Sequence, residues 1–199
     1  MRSLLAAILI LLAAPATATQ DAWPALFDVA GVSADDVLNI RAAPTAASEI
    51  VGTVAPDAVD IEVIRPNEAL TWGLVNTAEG TGWVSLAFLQ RQPGQWTGAY
   101  PPVQQCFGTE PFWSIDIDDR AATFSTPDTS IQGQVIARMA SANRRDRHGL
   151  RIALPEGRWI DGVISWETCS DFMSDREYGL TFDALGTDGV LSGCCSLGR

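Results

Sequence analysis

Trp113-Ser114-Ile115-Asp116-Ile117-Asp118 alternates apolar and polar residues. In an extended chain successive side chains point to opposite faces, so Trp113, Ile115 and Ile117 fall on one side and the polar residues on the other. That is the pattern of a half-buried β-strand. Similar short β-type runs flank it at 59–64, 72–76 and 82–85, then at 134–139, 150–154, 159–166, 178–184 and 189–192. Helical periodicity is almost absent, and an all-β chain of two small barrels or sandwiches is expected. At residues 93–102 the string Pro93-Gly94-Gln95-Trp96-Thr97-Gly98-Ala99-Tyr100-Pro101-Pro102 interrupts every period. It reads as a linker between a first domain at 19–92 and a second at 103–199. Each is near the size at which one core is only just sufficient.

Composition excludes whole classes of chemistry. The 199 residues carry 24 Asp+Glu against 13 Lys+Arg, a formal net charge of -11, and every cation is arginine. Without lysine, a Walker-type phosphate loop, a Schiff-base enzyme and a lysine general base are excluded. The single histidine, His148, excludes zinc sites built on two or three histidines. The acidic balance argues against nucleic acid, whose phosphates require a basic face. No cofactor or metal is expected.

The first residues give an address. Arg2 supplies a positive start, residues 4–14 an apolar stretch, and Ala16-Thr17-Ala18 a small-residue cleavage site, so residues 1–18 read as a cleaved signal peptide. The apolar run is shorter than the roughly 20 residues that span a bilayer. No cysteine lies near the cleavage site to take a lipid, and no later segment reads as a membrane span. An exported protein, periplasmic or secreted, is expected. Cys106, Cys169, Cys194 and Cys195 all lie in the second half, and four cysteines in a small exported domain imply disulfides. A bridge between the vicinal Cys194 and Cys195 would strain the intervening peptide. Each is therefore expected to reach Cys106 or Cys169, with both pairings open.

Residues 37–89 carry an ordered set of strings. They are Val37-Leu38-Asn39-Ile40-Arg41 followed by Pro44, Ile50-Val51-Gly52-Thr53-Val54, the run 59–64, Trp72-Gly73-Leu74-Val75, and Gly82-Trp83-Val84 with Leu89. The set resembles the bacterial SH3 domain family. That resemblance implies a non-catalytic module of an envelope protein, of a kind that in several cases binds peptidoglycan or its peptides. The candidate ligand-binding residues are Asn39, Arg41, Trp72 and Trp83, the indoles because they offer stacking area and a donor. Their structural alternatives are core packing for the tryptophans and a turn for Asn39 and Arg41. The excess of acid in this domain suits a ligand bearing free amines.

Three strings of the second domain are similar to a family of exported bacterial proteins, often lipoproteins, from which no activity can be carried over. They are Cys106-Phe107-Gly108-Thr109-Glu110-Pro111-Phe112-Trp113, Cys169-Ser170-Asp171-Phe172-Met173-Ser174-Asp175-Arg176-Glu177-Tyr178 and Gly193-Cys194-Cys195. Glu110, Asp171 and Asp175 would supply a glycosidase with its two carboxylates, which must stand about 5 to 9.5 Å apart. The structural alternative pairs Glu110 with Arg176 and uses Ser170 and Asp171 to cap the turn after Cys169. Ser192-Gly193-Cys194, with His148 upstream, resembles the nucleophile string of L,D-transpeptidases. Against that, the adjacent Cys195 points to a disulfide, and a bridged sulfur is not a nucleophile. His148, inside Asn143-Arg144-Arg145-Asp146-Arg147-His148-Gly149, is expected as a solvated residue of a polar turn.

The expected function is that of a non-catalytic exported protein binding a cell-wall or envelope ligand through its SH3-like domain. The alternatives are a wall-active enzyme using these carboxylates or Cys194, and a protein-interaction module of a periplasmic assembly whose partner is another envelope protein. The leader makes a direct prediction: the mature chain starts at or near Thr19, and intact-mass analysis of exported protein still carrying Met1 would refute the leader.

Overall fold

The computed structural model describes residues 20–198, so the leader read in residues 1–18 lies outside the described residues. The chain is all-β: among the described residues there is no α-helix, only the 3-10 turns Leu86–Phe88 and Pro155–Gly157. Among the described residues no helix is long and apolar enough to cross a membrane.

The second half is one closed barrel. Its strands are β9 (Val103–Thr109), β10 (Phe112–Ile117), β11 (Ala121–Ser125), β12 (Ser130–Ala140), β13 (Arg147–Ala153), β14 (Trp159–Ser165), β15 (Leu180–Gly186) and β16 (Gly189–Leu197). From β10 to β16 each pairs antiparallel with the next, and β9 closes the ring between β16 and β10. Eight strands give a barrel whose interior is just wide enough for side chains to fill. The alternation of residues 113–118 holds: Trp113, Ile115 and Ile117 are buried, joining Leu150, Ile152, Ile164, Leu180 and Phe182 in a packed interior. Fully burying a side chain of this kind contributes about 1.5–3 kcal/mol.

The four cysteines form Cys106–Cys195 and Cys169–Cys194, and among the described residues no cysteine is free. Successive residues of a strand face opposite sides. Cys195 therefore points into the barrel, where it bridges its directly opposed partner Cys106 across the closing pair of strands, with Cα atoms 4.0 Å apart. Cys194 points outward to Cys169, with Cα atoms 5.6 Å apart. Bridges of this kind typically contribute about 2–4 kcal/mol each.

The first half contains β1 (Ala25–Val29), β2 (Leu38–Arg41), β3 (Ile50–Val54), β4 (Ile61–Val63), β5 (Arg65–Pro66), β6 (Trp72–Asn76), β7 (Thr81–Ser85) and β8 (Leu89–Arg91). They form a five-stranded sheet, β3-β2-β7-β6-β5, and a three-stranded sheet, β4-β1-β8. Ala25, Phe27, Leu38, Ile40, Val63, Val75 and Val84 pack together as the core of this half. Leu26, between Ala25 and Phe27, belongs instead to the core cluster of the barrel. The small sheet is thus covered on both faces. Pro24 packs so closely on Gly179 that a Cβ there would stand 2.5 Å from the proline Cδ.

The stretch 93–102 forms no strand beyond an isolated bridge of Trp96 to Asp21, yet it is tied down. Leu26 N–H donates to Gln95 Oε1 at 2.6 Å, and Gln95 Nε2 donates to the Leu26 carbonyl at 2.8 Å. The buried amide takes the place of a neighbouring strand and satisfies backbone groups that would otherwise be stranded.

The barrel's packing can be tested at Gly162 of β14, where an added Cβ would lie 2.2 Å from Phe182 Cε2. Gly162→Ala is expected to cost about 1–3 kcal/mol through overpacking. A thermal melt indistinguishable from that of the parent would show the ring free to move.

Candidate functional site

The motif at 169–178 is a closed loop between β14 and β15. Cys169 and Tyr178 exchange backbone hydrogen bonds at 2.8 and 3.0 Å, and the Cys169–Cys194 bridge fastens the same end to β16. Inside it, the Ser170 hydroxyl accepts from the Phe172 N–H. Asp171 accepts from the Met173 and Ser174 N–H groups and from the Ser174 hydroxyl. The expected capping by Ser170 and Asp171 is present. Desolvation raises the affinity of the Asp171 carboxyl for its proton, but the hydrogen bonds from Ser174 and Met173 and the charge of Arg176 outweigh it and hold the group below its ordinary range.

The far side of the loop grips the first half. Asn76 Nδ2 donates to the Glu177 carbonyl at 2.9 Å, and the Glu177 N–H donates to Asn76 Oδ1 at 3.1 Å. The Asp175 N–H donates to the Glu79 carbonyl, and Arg65 pairs with Glu177 at 3.2 Å. Arg176 donates to the carbonyls of Thr77 and Ala78. The expected pairing of Arg176 with Glu110 is therefore replaced: the guanidinium serves the turn between β6 and β7, while Glu110 stands exposed between β9 and β10. The two strings do meet elsewhere, where Thr109 Oγ1 donates to the Asp171 carbonyl at 3.0 Å.

Between the loop, the barrel wall and the first half lies a cleft of about 630 Å³. Phe107, Phe112, Trp113 and Tyr178 give it aromatic surface. Asn76, Gln105, Thr109, Ser114 and Ser196 give it neutral polar groups. Phe107 and Tyr178 meet edge to face with ring centroids 5.0 Å apart. Glu62 of β4 also lines the cleft. It stands directly opposite Leu26 in the pairing of β1 with β4, and so faces the barrel as Leu26 does. Although the residue as a whole is half-buried, its Oε1 is sealed from solvent without a hydrogen-bond partner. Burial pushes the carboxyl up to about 8, against the lowering effect of a backbone hydrogen bond from Leu197.

The other candidates fall elsewhere. Strand alternation and register put Asn39, Arg41, Trp72 and Trp83 on the face of the five-stranded sheet opposite its core residues Ile40, Val75 and Val84, all half-buried. Trp83 lies under the Arg65 guanidinium, 5.3 Å from its ring centroid, and Arg41 Nη1 donates to the Ser48 carbonyl. None of the four lines the cleft. Cys194 is bridged rather than a thiolate. His148 is 2 % exposed within β13, correcting its expected place in a solvated turn. Its ring packs edge-on against Trp166 and Tyr100, and burial lowers its proton affinity. Among the described residues no group of three or more His, Cys, Asp or Glu could hold a metal ion.

Comparison of the chain with protein-family models, with curated proteins and with solved structures returned no match.

Glu62 has a measurable signature. Its folded-state pKa lies above the unfolded value, so ionisation destabilises the fold increasingly as pH rises from about 4.5 towards 8. Glu62→Gln is expected to be more stable than the parent at pH 8, with the difference shrinking to nothing towards pH 4. Urea titrations across that range check this, and a difference independent of pH would show that the carboxyl is not held neutral.

Proposed function

We propose that the protein is an exported, non-catalytic binding protein of the bacterial cell envelope, and that its ligand, a cell-wall component such as a peptidoglycan peptide, occupies the cleft between the two halves. The observation that carries this reading is the cleft's construction: both halves and the disulfide-fastened loop contribute to one aromatic and amide-lined wall around a carboxyl one of whose oxygens is sealed without a hydrogen-bond partner. Concave sites with apolar walls and a few convergent polar groups are where small ligands bind. The resemblance of residues 37–89 to bacterial SH3 domains supports a wall ligand, and the two disulfides suit an oxidising compartment.

A second reading, docking of another envelope protein, is favoured by the apolar side chains exposed nearby. Phe112 is 51 % exposed and Phe172 91 %, the latter held at φ 58 in a region that a bulky side chain rarely adopts.

Co-sedimentation with purified sacculi tests the first reading. The full chain is expected to pellet, Phe112→Ala to weaken binding about tenfold through lost aromatic contact, and Trp72→Ala to retain it. The reverse ranking of the two variants would move the site to the tryptophans of the five-stranded sheet, and a parent chain left in the supernatant would defeat the wall-ligand reading.

A further inference from the structure

We propose that the cleft recognises a primary ammonium group carried on an alkyl or peptide arm, with the Glu62 carboxylate as its counter-charge; this rests on the cleft's being the ligand site. Two other charged groups line the cleft, and both are already engaged. Asp171 accepts three hydrogen bonds from its own loop, and Arg176 is committed to the carbonyls of Thr77 and Ala78. Glu62 alone keeps a sealed oxygen without a donor. A carboxyl turns readily about its terminal bond, so either oxygen can be presented to a ligand. An anionic ligand would meet no free cation there and would face a chain of net charge -11. An ammonium group has three donors to offer, is drawn by that field, and finds ring faces nearby that favour a cation.

The proton balance follows. Burial keeps Glu62 protonated at neutral pH. Seating an ammonium favours its ionised form, and one proton passes to solvent for each ligand bound. Asp171, Arg176 and Tyr178 are the other titratable groups lining the cleft. The neighbours that reach Glu62 from β1 and β16, Leu26 and Leu197, carry no titratable side chain.

The experiment is calorimetric titration of the full, disulfide-intact chain with Nα-acetyl-lysine amide and, as the uncharged control, its Nε-acetylated counterpart. The charged probe is expected to bind with an affinity that rises about tenfold per pH unit from pH 6 and levels near 8. The acetylated probe should bind at least tenfold more weakly at pH 8. Glu62→Gln should remove the pH dependence, and the parent's own profile keeps the test decisive if that variant folds poorly. Equal binding of the two probes, a flat profile, or no saturable binding would overturn the inference. Sacculi still pelleting the parent would then leave the wall-ligand reading standing, whereas probe binding without sacculus binding would do the opposite.

Discussion

Leu26 is fully buried in the core of the barrel, while its neighbours Ala25 and Phe27 are buried in the core of the other half. A strand apolar on both faces must be covered on both faces, because leaving either in water forfeits the burial that drives folding. The placement of β1 therefore forces the two halves together. Its pairing with β4 brings Glu62 to the barrel wall, and the close packing of Pro24 on Gly179 brings the 169–178 loop within reach of the turn between β6 and β7. The cleft is the space left where these surfaces meet without filling.

The cysteine pattern follows the same geometry. Adjacent residues of an extended strand cannot share a face, so Cys194 and Cys195 do two different jobs. Cys195 locks the strand pair that closes the barrel, and Cys194 anchors the loop that reaches across to the first half. The Ser-Asp caps and the reciprocal Asn76 and Glu177 bonds then hold that loop's backbone, leaving Phe172 and Met173 turned to solvent at its tip. These polar contacts are individually modest; hydrogen bonds of this kind contribute about 0.5–1.5 kcal/mol each. Together they position a loop that has no core of its own.

Glu62 runs against the economy of the rest. A carboxyl with no counter-charge and one oxygen sealed without a donor destabilises the folded chain whenever it ionises, and a glutamine or an apolar residue would remove that cost. A group of this kind, in a cleft rather than in a packed interior, is where perturbed acidity and ligand recognition coincide.

The all-β class was legible from the alternation of 113–118, and 72–76 was matched residue for residue by β6. Strands β1, β9 and β11 raised no such signal. β9 carries two adjacent glutamines and a glycine, and its place depends on closing the barrel between β10 and β16. The cysteines' oxidised state followed from number and context, whereas the choice of partners waited on which face each side chain took. His148 read as polar loop because its neighbours are charged; its burial comes from Trp166 and Tyr100, distant in sequence. Ile61-Glu62-Val63 shows most plainly where sequence stops. Alternation alone places Glu62 opposite to the core residues, and it does lie there. That face became a cleft wall only because a second folded unit packs against it, a contact between residues too far apart in the chain for any local pattern to encode.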